Sequence, residues 1–302
     1  MTKKLWQASL NQKKKSNLFA YENYISKKFN KKFGNDFQKI LNWSIKNSPD
    51  FWSSFWDFTK INGIKSSKNI KKSKVFYKNL FLPGSKLNFA NNLLAKNDKK
   101  KAVTFISENG FREERSWQKL NENTNRLVQF LENKKINQRD RVAAYMPNTI
   151  ETVEAFISTS AIGAIWSSCS PDFGVNGVIE RFSQINPKIL FITDQYFYNG
   201  KQINIIDRLP EILEAIPSIK NVVVTNYPGK CSAKYKKKIK EVKLTSWSEL
   251  MKINTKDMIY SNFDFEHELA ILYSSGTTGK PKCICHRAGG VLIQHKKEHQ
   301  LH

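Results

Sequence analysis

The spacing of apolar side chains divides the chain into a helical N-terminal region and a longer region of mixed pattern. In the first region apolar residues recur at helical spacing, as at Phe37, Ile40 and Leu41, which is typical of an amphipathic helix. The residues after Pro49-Asp50 repeat that pattern with aromatic side chains. We therefore expect residues 1–74 to form a helical, aromatic-rich cap that ends in an exposed linker, with the aromatic residues packed as core against the following domain.

Beyond residue 74, short apolar runs alternate with segments of helical spacing. The predicted strands cover residues 102–107, 112–116, 141–146, 164–167, 189–193, 222–225, 269–272 and 283–285. The predicted helices cover residues 87–94, 120–131, 148–161, 177–184, 203–215 and 247–251. Asn109-Gly110 predicts a hairpin, and Asn148 with Glu151 predicts a capping box. Strands joined by helices require crossover connections, so residues 75–302 are predicted to form an α/β domain with a doubly wound, mostly parallel sheet.

One stretch, residues 273–282, carries the clearest candidate chemistry. Its sequence, Tyr-Ser-Ser-Gly-Thr-Thr-Gly-Lys-Pro-Lys, lies between two predicted strands and combines flexible glycines with hydroxyl groups and lysines. Such a loop suits the phosphates of a nucleoside triphosphate, although a Ser/Thr/Gly surface turn has a similar composition. The spacing is not that of the Walker phosphate loop, and Pro281 disfavours a helix that begins at Lys280.

The same ten residues resemble the nucleotide-binding signature of the adenylate-forming enzymes. Within that superfamily the chain is similar to the acetoacetyl-CoA synthetase family, from Leu5 to the last residue. The segments that carry this similarity are residues 51–58, 81–90, 166–174 and 281–290. Acetyl-CoA synthetases usually have glycine where this chain has Cys283, and the difference favours acetoacetate over acetate or propionate as the acid.

The resemblance implies a ligase that joins acetoacetate to coenzyme A through an acyl adenylate formed from Mg-ATP. It implies that the loop binds ATP through Ser274, Ser275, Gly276, Thr277, Thr278, Gly279, Lys280 and Lys282. For Trp166, Ser168 and Cys169 it implies a place along the acyl or coenzyme A channel, with core packing as the alternative. The small-molecule partners implied are therefore acetoacetate, ATP and coenzyme A.

The chain departs from that family in its length. Adenylate-forming enzymes continue past the nucleotide loop into a metal-binding motif, a ribose-binding aspartate and a small domain that bears the catalytic lysine. None of these has a counterpart in the 302 residues, so no catalytic residue is assigned. We expect an N-terminal portion of the large AMP-binding domain that is inactive alone, with a separately encoded C-terminal half as a candidate partner.

The net charge raises a second class of function. The formal net charge is +24, but only eight of the 50 basic residues are arginine, and the lysines are spread along the chain. Sequence-specific readers of nucleic acid depend on arginine, so we predict no specific nucleic-acid partner. A non-catalytic, basic module that binds nucleotides or RNA remains the alternative to a ligase.

The sequence also bears on membrane association, cellular location and metal binding. The longest apolar-rich window, residues 142–169, is interrupted by Pro147 and Glu151, so neither a membrane span nor a membrane partner is predicted. Four unevenly placed cysteines and no visible secretory signal predict a reducing, cytoplasmic location. Cys283 and Cys285 lie on one face of a predicted strand without a second ligand pair nearby, so no metal site is predicted.

Overall fold

The structure is a computed structural model, and it describes residues 5–68, 70–71, 73–229, 235, 238–239, 241–255, 258–274 and 279–301. The chain forms two compact units. The first comprises Met1–Leu87, Asp264–Glu266 and Gly289–His302, and the second comprises Asn88–Phe263 and His267–Ala288. The domain boundary that the sequence predicts after residue 74 lies within the first unit and stays a prediction.

The elements follow one another from an all-helical start into alternating strands and helices. The helices are α1 (Leu10–Lys14), α2 (Asn17–Phe29), α3 (Phe37–Lys46), α4 (Ser48–Phe58), α5 (Phe89–Leu93), α6 (Trp117–Asn133), α7 (Ile150–Ala161), α8 (Val175–Phe182), α9 (Leu209–Ala215), α10 (Trp247–Leu250) and α11 (Ala288–Leu301). The strands are β1 (Gly63–Ile64), β2 (Lys86–Leu87), β3 (Lys101–Ile106), β4 (Arg112–Ser116), β5 (Arg141–Tyr145), β6 (Ile165–Cys169), β7 (Ile189–Thr193), β8 (Gln195–Tyr198), β9 (Lys201–Asn204), β10 (Asn221–Thr225), β11 (Lys238–Ile239), β12 (Val242–Ser246), β13 (Phe263–Asp264), β14 (Glu268–Tyr273) and β15 (Cys283–Arg287).

Aromatic side chains form the core of the first unit, as the sequence predicts. Tyr21 and Phe55 are fully buried, and their rings meet edge to face at 5.5 Å. The Tyr21 hydroxyl donates to the Phe51 carbonyl oxygen at 3.2 Å and lies 2.9 Å from Ser54 Oγ. These contacts satisfy the polar end of a buried tyrosine, and burial raises the pKa of its hydroxyl above the ordinary range. The aromatic pattern of α2 and α4 is therefore a packing pattern.

The second unit is organised by a sheet with the strand order β11-β12-β10-β7-β5-β6-β14-β15. Neighbouring strands from β12 to β14 run parallel, whereas β11 and β15 pair antiparallel at the two ends. After β5 the chain first adds β6 on one side and then returns to add β7, β10 and β12 on the other. This reversal makes the sheet doubly wound and confirms the predicted α/β class.

Two local predictions are wrong. The predicted helix at residues 203–215 begins only at Leu209, because residues 195–204 form the β8–β9 hairpin. Asn199 and Gly200 have φ values of 49° and 73°, the left-handed geometry that an Asn-Gly hairpin turn requires. The capping box predicted for α7 is also absent, since its N-cap is Thr149 and no side chain caps it. Glu151 instead faces Arg115.

Gly163 is a position where the fold requires glycine. Its φ is +71°, and an added Cβ would lie 2.6 Å from Cζ of Phe263. We expect Gly163→Ala to lower the free energy of unfolding by about 1 to 3 kcal/mol, because the ring has to move and the backbone is strained. Urea unfolding measures this loss. The matched control is Gly200→Ala, which has φ +73° but no atom within 4 Å; an equal loss in both variants would rule out the steric contribution.

Candidate functional site

The predicted phosphate loop lies at the end of the β14–β15 hairpin. Tyr273 pairs with Cys283 in the ladder. Beyond this pair, the Ser274 N–H donates to the Lys282 carbonyl oxygen at 3.0 Å, and the Lys282 N–H donates to Ser274 Oγ at 3.3 Å. These two bonds close the hairpin at the residues that bound the loop. The loop therefore leaves from a fixed pair of positions at the carboxyl end of β14.

The candidate ATP-binding residues are only partly described. Ser275, Gly276, Thr277 and Thr278 lie outside the described residues. Gly279 has φ +107°, in the region that favours glycine, and an added Cβ would meet nothing within 4 Å. Lys280 and Lys282 are exposed. A role of the two lysines in binding a phosphate group stays a prediction.

Gln184 lies two residues after the end of α8 and contacts the C-terminal end of the loop. Its side-chain amide donates to the Pro281 carbonyl oxygen at 2.9 Å. Its Oε1 lies 3.7 Å from Cys283 Sγ, the thiol at the start of β15. Partial burial raises the pKa of this thiol.

Arg181, near the end of α8, connects the loop with the segment that follows β6. Its guanidinium carbon lies 4.1 Å from the ring centroid of Phe173 and 5.8 Å from that of Tyr273. It also donates to the Gly177 carbonyl oxygen at 2.8 Å, which fixes the side chain along its own helix. A cation between two rings is a favourable arrangement, and here it joins the ends of β6 and β14 on one edge of the sheet.

The segment after β6, residues 170–174, is itself held in place by polar contacts. Arg208 Nη1 donates to the carbonyl oxygens of Pro171 and Phe173 at 3.2 and 3.1 Å, and it also contacts the Tyr145 hydroxyl. Tyr196 donates its hydroxyl to Asp172 Oδ1 at 2.9 Å. These bonds give a surface segment the order of a packed element, and they place Phe173 beside Arg181.

The three candidate channel residues all lie within β6, which extends to Cys169. Trp166 is buried, and its ring lies 5.9 Å from Phe156 and 6.4 Å from Phe191. Cys169 is also buried, and burial raises the pKa of its thiol to about 12. Because side chains alternate along a strand, Trp166 and Ser168 share one face and Cys169 lies on the other. The structure therefore does not bring the three onto one wall, and their role in a channel stays a prediction.

Sequence reasoning missed Arg181, Gln184 and Arg208. Each lies in or beside a helix whose apolar spacing explained the local sequence, so nothing marked these residues as different from other polar positions. The β8–β9 hairpin that precedes Arg208 was the one available signal, through its Asn-Gly turn.

Within the part of the chain that the structure describes, no helix has the length and apolar character needed to cross a membrane. The described residues also contain no group of three or more His, Cys, Asp or Glu side chains that could hold a metal ion. The described cysteines, Cys169, Cys283 and Cys285, are free thiols.

Known proteins to which this chain is similar are named as CoA synthetases. Acetoacetyl-coenzyme A synthetase of Rhizobium meliloti (strain 1021) is 35% identical over 298 residues, covering 99% of this chain and 45% of that protein. Acetoacetyl-CoA synthetase of Danio rerio is 37% identical over 288 residues, covering 90% of this chain and 42% of that protein. Malonamoyl-CoA synthetase vrtB of Penicillium aethiopicum is 35% identical over 293 residues, covering 91% and 40%.

A solved structure shows the same fold. Acetoacetyl-CoA synthetase from Streptomyces lividans superposes with a TM-score of 0.89 at 25% identity, covering 98% of this chain and 45% of that one. The chain thus spans less than half the length of the relatives it matches. A family model described as "AMP-binding enzyme" matches residues 91–300. Because this match covers well over half of the 302 residues, the chain belongs to the family of AMP-binding enzymes.

Proposed function

We propose that this chain supplies the phosphate-binding part of an acid–thiol ligase that converts ATP, acetoacetate and coenzyme A into acetoacetyl-CoA, AMP and pyrophosphate. The observation that carries the proposal is the loop between Ser274 and Lys282, which leaves a hydrogen-bonded hairpin on the carboxyl edge of a doubly wound sheet. Ligands of open α/β sheets bind at that edge. The names of the relatives support acetoacetate as the acid.

In the proposed reaction a carboxylate oxygen attacks the α-phosphorus of ATP, and pyrophosphate leaves. The coenzyme A sulfur then attacks the acyl carbon, and AMP leaves. The loop binds the β- and γ-phosphates through its hydroxyl groups and backbone amides, and Lys282 neutralises part of their charge. Gln184 and Arg181 fix the ends of the loop relative to the segment after β6. The phosphates and the incoming thiol would therefore bind to groups that are already in position.

We propose that Mg²⁺ binds together with the phosphates of ATP. The described residues contain no group of three or more His, Cys, Asp or Glu side chains that could hold the ion, so no residue of this chain is assigned to it. We likewise assign no residue of this chain to proton transfer. Free thiols at Cys169, Cys283 and Cys285 support a reducing compartment, and we propose the cytoplasm.

Nucleotide binding by the purified chain tests the proposal. Calorimetric titration should show ATP binding that depends on the triphosphate, with Lys282→Ala about tenfold weaker because one charge-assisted contact is lost. This variant keeps the Lys282 backbone bonds that close the hairpin. The control is Lys220→Ala, an exposed lysine before the amino end of β10. An absence of ATP binding at millimolar concentration would refute the proposal.

The same preparation tests whether the chain acts alone. Acetoacetate-dependent exchange between ATP and pyrophosphate should stay at the background rate, since no catalytic residue is assigned among the 302 residues. Robust exchange would show that the catalytic groups are already present in this chain.

A further inference from the structure

A cavity of about 570 Å³ lies in the second unit. It is lined by residues of β4, α6, α7 and α10, by the two residues that follow α10 and by the residue that follows β10, and none of the described residues of the 273–282 stretch is among them. The cavity is at the carboxyl ends of β10 and β12, where open α/β sheets bind ligands, and its volume is typical of a small-molecule site.

One wall of the cavity carries a buried hydrogen-bond acceptor without a partner. Glu151, in the first turn of α7, is only 9% exposed. The distance from its Oε1 to Arg115 Nη2 is 3.7 Å, but its Oε2 accepts no hydrogen bond from any residue that the structure describes. A buried carboxylate oxygen without a donor costs free energy, so this wall is complementary to a ligand that brings an N–H or O–H group.

An aromatic and an apolar side chain also line the cavity. Trp247 and Met251 line it at α10 and just beyond. The Trp247 ring lies 6.4 Å from the ring of buried Phe191 in an edge-to-face arrangement, which restricts its rotation. The capping box between Ser246 and Glu249 fixes the start of the same helix. A held indole ring beside a cavity is a stacking surface for a planar ligand.

The rim of the cavity is positively charged. Lys119 and Lys252 are exposed lining residues. Lys119 contacts Glu122 at 3.1 Å, an exposed pair that costs little to separate. Their ammonium groups can therefore reach an anionic group at the mouth of the cavity without leaving a buried charge unpaired.

We propose that this cavity binds a nucleoside monophosphate, with its base on Trp247, an amino group of the base donating to Glu151, and its phosphate between Lys119 and Lys252. This ligand combines a planar ring that can stack on Trp247, a hydrogen-bond donor for Glu151 and an anion for the two lysines. The site is distinct from the proposed ATP loop, which binds β- and γ-phosphates that a monophosphate lacks.

Titration of the purified chain with AMP tests the site. Trp247→Leu and Lys252→Gln should each weaken AMP binding at least fivefold, whereas Trp6→Leu, at a tryptophan that is 75% exposed in the first unit, should not. Lys252 is exposed, so Lys252→Gln keeps the test valid even if Trp247→Leu unfolds the protein. Equal AMP affinity in the wild type and in Lys252→Gln would overturn the proposal.

Two fragments of the ligand test its parts. Adenosine, which lacks the anion, and inorganic phosphate, which lacks the ring, should each bind at least tenfold more weakly than AMP. If adenosine binds as tightly as AMP, the lysine rim is not a phosphate site and the assignment is wrong. If inorganic phosphate competes as well as AMP, stacking on Trp247 is refuted. Failure of ATP binding with intact AMP binding would refute the proposed function alone.

Discussion

Replacing Arg115 with methionine is expected to lower the free energy of unfolding by about 3 to 5 kcal/mol, because it leaves buried carboxylates without their cation. Arg115 Nε donates to Glu154 Oε1 at 3.0 Å, and its Nη2 lies 3.0 Å from Glu113 Oε1 and 3.7 Å from Glu151 Oε1. Glu154 is fully buried and also accepts from Asn123 Nδ2 at 2.9 Å. We call Arg115, Glu113, Asn123, Glu151 and Glu154 the Arg115 cluster. Its single guanidinium lies close to the carboxylates of all three glutamates.

Methionine keeps most of the apolar stem of Arg115 and removes only the charged head, so the loss reports the charge. The matched control is Arg112→Met on the same strand, where an exposed guanidinium meets exposed Glu114 at 2.7 Å. That change should cost less than about 1 kcal/mol. Chemical denaturation at pH 8 measures both variants. Adding Glu154→Gln to Arg115→Met should recover part of the loss, and a purely additive double variant would contradict the coupling.

The free energy of unfolding is expected to fall by about 3 kcal/mol between pH 4.5 and pH 7 through Glu154 alone. Burial raises the pKa of Glu154 from 4.5 to about 7, and the attraction of Arg115 offsets only part of this effect. In that interval the folded chain keeps a proton that the unfolded chain releases, so stability decreases as the pH rises. The oxygen available for the proton is Oε2, which has no hydrogen-bond partner among the described residues.

Glu154→Gln isolates this dependence. The variant should match the wild type below about pH 4, where Glu154 is neutral in both the folded and the unfolded states, and exceed its stability by up to about 3 kcal/mol at pH 8. Glu151 lies close by, and burial raises its pKa as well, so some slope should persist. The control, Glu122→Gln at an exposed position of α6, should keep the wild-type slope. If Glu154→Gln and the wild type lose stability in parallel from pH 5 to pH 8, Glu154 does not titrate in this range.

Most of the second unit could be predicted from local patterns. The strands β5, β7 and β10 are short apolar runs, and α6 and α7 show helical spacing, because each element buries a face that its own sequence reveals. The β8–β9 hairpin was missed although Asn199-Gly200 signalled it. The predicted helix at residues 203–215 instead began inside β9, the second strand of this hairpin.

In the candidate site, too, some residues could be identified from the sequence and others could not. The loop at residues 273–282 could be found because its glycines, hydroxyl groups and lysines are contiguous. Arg181 and Gln184 could not, since their partners Phe173, Tyr273 and Pro281 become neighbours only when β6 and β14 pair. Glu151 was assigned to a helix cap because Asn148 and Glu151 have the right spacing. In the fold, the side chain lies beside Arg115.

By itself, the sequence determined the α/β class, the position of a candidate phosphate loop and the similarity to adenylate-forming ligases, because each of these is carried by contiguous residues. Only the tertiary structure decided which polar groups are buried together, away from water. The packing of α6 against β4 and α7 brings Arg115, Asn123 and Glu154 together in the interior. Charge and hydrogen bonding at such distances depend on burial, and burial is a property of the packed chain and not of any segment of it.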